Sequence, residues 1–406
     1  MDPSKPKMLK VNNRRMVLDL FREGQNLSIP AISEQTSLSK TTVGKIIEHF
    51  LQEGVILGIG KGDSTVEGGK RPELFQLNSE SGLAIGIQIH HLQLYAILTD
   101  LQARILHTIV LPLKDNENEK AVIKKIQIAS ERLLAESNHS PAKLIGLGLG
   151  FPSITNFRDG VVRTSPWFPS WGEDLPFQQL LEDELQLKVP IIIDNECRFQ
   201  VFAEKERGMA RNRKNIIAVY IRAGIVAGIM VNNEIKRGVH YLAGEIGHMV
   251  INPLGPDICN CGSRGCFEAM VYEKRLLNKT IQVAPDFPSS LIFQNKKPER
   301  ITIEDIFYAS NNRDELATKL LDEIIGWFAI AFSNIIVMVD PEVIVIQGIY
   351  AKAGDYFLDN LREKVNRLVL PKIKKDVEIE YSNLGPEVCA LGAALFIISD
   401  HFKQDF

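Results

Sequence analysis

Three of the five cysteines in this chain, Cys259, Cys261 and Cys266, crowd into residues 244–268, GEIGHMVINPLGPDICNCGSRGCFE, with His248 just upstream. Three thiolates and one imidazole complete a tetrahedral shell, and soft sulfur with borderline nitrogen is the ligand set zinc prefers. Gly262 and Gly265 give the backbone the freedom to turn so that Cys261 and Cys266 meet one ion. The competing readings are unliganded buried thiols or a disulfide pair. If all four positions are filled by protein, none is left for an activated water, so the ion expected here, Zn2+, is structural. A metal that fixes this loop also fixes the carboxylates bracketing it, Glu245 and Glu268.

The rest of the composition is that of an ordinary soluble protein. The chain has 406 residues and a net charge of -3, long enough for two or three domains with a substantial core. No apolar run approaches the roughly 18 residues of a membrane span, and the charged N-terminus lacks a secretory apolar core. The expectation is a cytoplasmic protein without a membrane partner, whose thiols stay free or metal-bound. Cys197 and Cys389 then read as buried thiols.

Residues 1–80 read as a separate unit. Met16, Val17, Leu20 and Phe21 recur at helical spacing before Gly24. Ser28 is placed to cap a second helix, and Ser39 a third whose stripe is Val43, Ile46, Ile47, Phe50 and Leu51. Strand-like runs at 55–59 and 74–77 flank a loop tipped by Gly68, Gly69, Lys70, Arg71 and Pro72. Three helices and a hairpin predict a winged helix-turn-helix. Lys and Arg nearly balance Asp and Glu over this unit, so the argument for DNA rests on position, and a solvated turn is the alternative for the loop. Thr41, Thr42 and Lys45, near the start of the third helix, are placed for base edges. Arg14, Arg15 and Lys40 suit phosphates, and Lys70 and Arg71 a narrow minor groove. One such module makes few contacts, which predicts a homodimer or higher oligomer on a two-fold operator.

From 83 onward the pattern alternates. Strands are predicted at 83–89, 94–99, 105–111, 144–150, 190–193, 216–221, 228–231 and 343–346, with a helix over 119–136. The strand at 190–193 delivers Asp194, Asn195 and Glu196 at its end, where α/β sheets collect ligands. Trp167 and Trp171 suit either stacking on a sugar face or core packing.

The pattern Glu245-x-Gly247-His248, followed by Cys259-x-Cys261-Gly262-x-x-Gly265-Cys266-x-Glu268, resembles the hallmark of the ROK family of sugar kinases and transcriptional repressors. The likeness runs from about Arg14 to the C-terminus and is strongest in this loop. It implies an actin-like, ribonuclease H-like α/β fold of two lobes around a cleft, following the winged helix-turn-helix that the repressors carry. The expected limits are 1–80 for the DNA-binding head, 81–196 with 387–406 for the first lobe, and 197–386 for the second lobe with the zinc loop. The resemblance also implies that Asn195, Glu196, Glu245, His248 and Glu268 bind sugar hydroxyls, while the other ring nitrogen of His248 holds zinc.

The kinase machinery matches poorly. The family's D-x-G-G-T loop corresponds to Gly86-Ile87-Gln88-Ile89-His90-His91, and its G-T-G-x-G loop to Gly224-Ile225-Val226-Ala227-Gly228. Gln347-Gly348 stands where the kinases tend to have Gly-Gly, and Ser153 where the family has the last glycine of a G-x-P-G loop. Asn195-Glu196-Cys197-Arg198 stands in place of Asn-Asp-x-Asn. The extra methylene of Glu196 moves its carboxylate by about an ångström, a displacement that costs on the order of 100-fold. Arg198 has two readings, recognition of a sugar phosphate or a salt bridge to a local carboxylate such as Glu204. The resemblance is closest to the xylose-type repressors, with the N-acetylglucosamine type nearby. It implies a non-enzymatic repressor of carbohydrate-utilisation genes that releases operator DNA when a monosaccharide or sugar phosphate binds. The alternatives are an ATP-dependent sugar kinase with a DNA-binding head, and a repressor controlled by a partner protein.

Overall fold

A computed structural model describes residues 4–22, 24–62, 71–90, 92–222, 224–255, 257–294, 296–372 and 376–404, with backbone alone for 4–10 and 403–404. Gly68, Gly69 and Lys70 of the loop tip lie outside these residues. The chain forms two compact units, Met1–Asp194 with Cys389–Phe406, and Asn195–Val388. Asn195 and Glu196 therefore pack with the second unit, where the sequence limits put them in the first. They open a helix whose neighbours are second-unit strands, and helix packing outweighs the end of the preceding strand.

The first unit begins with α1 (Ser4–Arg22), α2 (Ile29–Thr36) and α3 (Lys40–Gln52), then the antiparallel pair β1 (Ile56–Lys61) and β2 (Glu73–Leu77). Both expected caps form. The Ser28 hydroxyl accepts from the Ala31 N–H at 3.4 Å, and that of Ser39 from the Thr42 N–H at 3.1 Å. Ser37 turns the chain between α2 and α3 in the left-handed conformation (φ 57). Val17, Phe21, Ile32, Val43, Ile47, Phe50, Phe75 and Leu77 are buried. Leu27 bridges Phe75, which ties the α1–α2 connection to the hairpin. This arrangement fits a winged helix-turn-helix.

The first sheet combines β3 (Leu83–His90), β4 (Gln93–Asp100), β5 (Ile105–Pro112), β6 (Leu144–Phe151) and, after the short pair β7 (Ile154–Asn156) and β8 (Val161–Thr164), β9 (Ile191–Asn195). Its order is β5-β4-β3-β6-β9. Helices α4 (Glu119–Glu136) and α5 (Phe177–Leu185) lie between these strands in sequence. The second unit repeats the plan. After α6 (Glu196–Arg207), strands β10 (Ile216–Ile221), β11 (Ile225–Val231) and β12 (Glu234–Ile235) form a meander. Helices α7 (Phe267–Val271), α8 (Glu273–Val283), α9 (Ile303–Asn311) and α10 (Glu315–Val339) follow, then β13 (Val343–Gly348), α11 (Asp355–Leu368) and β14 (Glu378–Tyr381). The sheet order is β12-β11-β10-β13-β14. In each sheet the first strand of a meander pairs in parallel with the strand returning after a helix, β3 with β6 and β10 with β13.

The C-terminal helix α12 (Val388–Gln404) returns to the first unit and packs on its sheet through glycines. A Cβ on Gly86 would stand 1.9 Å from the Ala390 carbonyl oxygen, and one on Gly148 2.6 Å from that of Ala393. Gly86 and Gly148 pair in register on β3 and β6, so together they form a socket that no side chain fits.

Among the described residues α10 is long and apolar enough to span a membrane by length and composition, contrary to the expectation that no run approaches that limit. Its residues Leu321, Ile325, Phe328, Phe332 and Ile336 fill the core of the second unit, which accounts for its apolar character.

Candidate metal centre and the carboxylates beside it

The four ligand atoms of His248, Cys259, Cys261 and Cys266 lie within 4.8 Å of one another. Cys259 Sγ is 3.6 Å from His248 Nδ1, and Cys261 Sγ is 3.7 Å from Cys266 Sγ. A tetrahedral ion with metal–sulfur bonds of about 2.3 Å and a metal–nitrogen bond of about 2.0 Å separates sulfur from nitrogen by about 3.6 Å and sulfur from sulfur by about 3.8 Å. The Cys259–His248 and Cys261–Cys266 edges match these values and the remaining edges stay within 4.8 Å, so the four side chains fit a metal ion. Cys259, Cys261 and Cys266 form no disulfide, since 3.7 Å is far beyond the ~2.05 Å of such a bond. Burial and the sulfurs of Cys261 and Cys259 push the Cys266 thiol up to about 12, a penalty on the thiolate that a cation removes.

The loop geometry follows from its backbone. The Cys259 N–H donates to the Ser263 carbonyl at 2.8 Å and that of Gly262 to the Cys259 carbonyl at 2.9 Å, closing a tight turn. Gly262 and Gly265 are both left-handed (φ 88 and 71), and a Cβ on Gly265 would stand 1.8 Å from the Asn252 carbonyl oxygen.

Three carboxylates approach this centre within the second unit. Glu268, in the first turn of α7, accepts from the Ile225 N–H at 2.9 Å through Oε2 while Oε1 lies 4.0 Å from Cys259 Sγ. One side chain thus joins the metal loop to the β10–β11 turn. Glu245 is half-buried, and its carboxyl is raised by burial against the opposing pull of His248 and Arg198, with Glu268 adding to the rise. Glu196 is buried, its Oε2 without a hydrogen-bond partner among the described residues. Burial first, and then Glu245, push the Glu196 carboxyl up to about 8, against the pull of Arg222. Asn195 caps α6, its Oδ1 accepting from the Cys197 N–H at 2.9 Å.

The positions that depart from the kinase pattern have structural employment. Gly86 belongs to the socket for α12. Gly228 lets α6 approach β11, since a Cβ there would lie 2.1 Å from the Cys197 carbonyl oxygen. The Ile225 N–H, in the turn where a phosphate would need backbone donors, is taken by Glu268. Gln347 donates to Oε1 of buried Glu204 at 2.7 Å; Ser382 donates to the same oxygen, and the Met209 N–H donates to Oε2 at 3.0 Å. The Ser153 hydroxyl is buried and hydrogen-bonded to that of Thr155.

Arg198 does not pair with Glu204. Six positions along a helix are about 240° of rotation, which puts the two on different faces. Arg198 is 1% exposed; its Nη2 donates to the Tyr241 carbonyl at 2.7 Å and its guanidinium lies 5.9 Å from the centre of the Tyr241 ring. Trp171 is core, stacked on Phe151 and Phe177 with Nε1 donating to the Glu117 carbonyl at 2.8 Å; Trp167 packs at the edge of the same cluster. Gln200 went unread in the sequence, and Glu204 was read only as a possible partner of Arg198. With Glu196 they recur every four residues along α6, all buried, and neither amide atom of Gln200 is partnered among the described residues. That spacing on a buried helix was the available signal.

In the N-terminal module, Lys40, Thr41 and Lys45 are exposed on the first turns of α3, and Arg71 is exposed just before β2. Thr42 is half-buried, its hydroxyl 2.9 Å from that of Ser39 and so engaged in the cap. Arg15 is exposed, 4.0 Å from Asp19, and Arg14 is half-buried.

Two αβ units with meander-and-crossover sheets, a Cys3His centre and a helical N-terminal module define a two-lobed, actin-like protein. The chain belongs to the ROK family, whose model matches residues 84–400. It is 29% identical to the xylose repressor of Bacillus subtilis over 405 residues, 99% of this chain and 98% of that one. It is 30% identical to a glucokinase of Thermotoga maritima over 285 residues, 69% of this chain and 86% of the enzyme. The crystal structure of a ROK family transcriptional regulator, a homologue of the E. coli MLC protein, superposes with a TM-score of 0.80 at 21% identity, covering 97% of this chain and 96% of that one.

Proposed function

We propose that this protein is a sugar-responsive transcriptional repressor of carbohydrate-utilisation genes, working in the cytoplasm as a dimer or higher oligomer on operator DNA. The observation that carries the reading is the carboxylate site. Glu245 faces His248 and Glu268 on one side and Glu196 on the other, and the buried Glu196 Oε2 lacks a donor among the described residues. Vicinal hydroxyls of a monosaccharide donate to carboxylate oxygens and accept from a protonated carboxyl, so they can satisfy such a set. Full-length similarity to a xylose repressor supports the same class, with xylose or another monosaccharide as inducer.

Zinc suits the metal centre, because three sulfurs and one imidazole at tetrahedral edges match its ligand preference and leave no open position. His248 would bind it through Nδ1, leaving Nε2 for a sugar hydroxyl. The ion supplies a rigid frame and no chemistry. Asn195 would complete the sugar contacts from the cap of α6. Ligand must bind one arrangement of the protein better than the other to change operator affinity. Thr41, Thr42 and Lys45 would face base edges, Arg14, Arg15 and Lys40 phosphates, and Lys70 and Arg71 the minor groove.

Phosphoryl transfer is disfavoured because the backbone donor at Ile225 is occupied, and Ile225 and Val226 stand where the kinase loop has its threonine and middle glycine. The test is a thermal-shift screen of sugars and sugar phosphates followed by operator release. One monosaccharide is expected to stabilise the protein and weaken operator binding, while Glu245→Ala and Glu268→Ala lose the response and keep operator affinity. Sugar-dependent ADP release would establish the kinase instead.

A further inference from the structure

The loop between β12 and the 3-10 turn Ile246–His248 carries the strain in this part of the molecule. Gly238, Tyr241 and Gly244 all have left-handed backbones (φ 74, 61 and 102), and Tyr241 is the one without glycine's freedom. The loop base is fixed. The Ala227 N–H donates to the Gly244 carbonyl at 2.7 Å, and a Cβ on Gly244 would lie 2.0 Å from the Ala227 carbonyl oxygen. Its tip is open, with Val239 89% exposed. A bulky residue keeps such a backbone only where its surroundings over-determine it. Here they do so through Arg198, which reaches from the first turn of α6 to bind the Tyr241 carbonyl at 2.7 Å and lie against its ring.

The same helical turn presents Glu196, and the loop runs directly into Glu245. From this geometry we infer that Arg198 is a positioning residue for the sugar site, a latch that holds residues 237–244 so that Glu245 stands opposite Glu196. The inference rests on the sugar-binding reading above. It assigns Arg198, a departure from the family pattern, to neither phosphate recognition nor an ion pair with Glu204. The planar guanidinium serves because one face meets the ring while an edge N–H reaches the carbonyl, a combination an ammonium does not offer.

The test uses the full-length, metal-loaded protein with Arg198→Asn, Arg198→Lys, Tyr241→Leu and, as control, Tyr241→Phe. Limited tryptic digestion read at Arg237 is expected to run at least about 10-fold faster in Arg198→Asn and Tyr241→Leu, with an intermediate rate in Arg198→Lys and a wild-type rate in Tyr241→Phe. Calorimetry with the sugar that stabilises the wild type is expected to show affinity lowered at least about 10-fold in the first two, with metal content and operator affinity unchanged. Should Arg198→Asn not fold, Tyr241→Leu decides. Wild-type cleavage and wild-type sugar affinity in Tyr241→Leu, or equal losses of sugar and operator binding, overturn the latch. A wild type that binds no sugar overturns the sugar reading and the positioning role together. Cleavage at Arg237 would then show only whether Arg198 restrains the loop.

Discussion

At the scale of single residues, Glu196 governs how the protein responds to pH. Its carboxyl titrates at about 8 in the folded chain against 4.5 for the unperturbed group, so the folded state holds its proton more tightly. The stability this contributes is complete below pH 4.5 and is lost as pH rises through about 8. Glu196→Gln keeps the shape without the charge. Its melting temperature is expected to exceed the wild type's above pH 8 and converge with it toward pH 5, as followed by circular dichroism across that range. That Glu245 and Glu268 lie by the metal loop was legible in the sequence, because both bracket the cysteines closely. The partner of Arg198 was not, because a cation in a sequence names no face, and Tyr241 is 43 positions away.

At the scale of elements, the glycines divide into those that packing requires and those it does not. Gly148→Ala drives a methyl into the Ala393 carbonyl and is expected to destabilise the protein by about 3 kcal/mol or more in urea denaturation. Gly326, midway along α10 with nothing within 4 Å of an added Cβ, is the contrasting case. Gly326→Ala is expected to add about 0.5–1 kcal/mol in the same measurement, because alanine gives up less backbone freedom on entering a helix and its methyl displaces nothing there. Periodicity placed most strands, and helices α2 to α4, within a few residues, whereas α5 to α11 went unpredicted. It could not say why Gly86 is a glycine, because the helix it accommodates arrives some 300 residues later, at Ala390. In the fold Gly86 is a seat for α12.

At the scale of the whole molecule, the proposed operator binding calls for the N-terminal module to act in pairs, since one recognition helix offers too few contacts for a specific site. Lys45→Ala is expected to relax base preference within a half-site, whereas Arg15→Ala weakens binding to all sequences and lowers the salt slope by about 1, as measured by operator titrations across ionic strength. The sequence divided the chain into three parts by changes of pattern, whereas contacts gather it into two units, because the association of the head with the first lobe leaves no trace in local composition. The Glu204 network ties position 347 to the interior. Its buried carboxylate leans on Gln347 and Ser382, so a glycine at 347 would leave that carboxylate under-satisfied. Positions 204, 347 and 382 are thus bound to one another, and a tolerated change at one calls for a matching change at another.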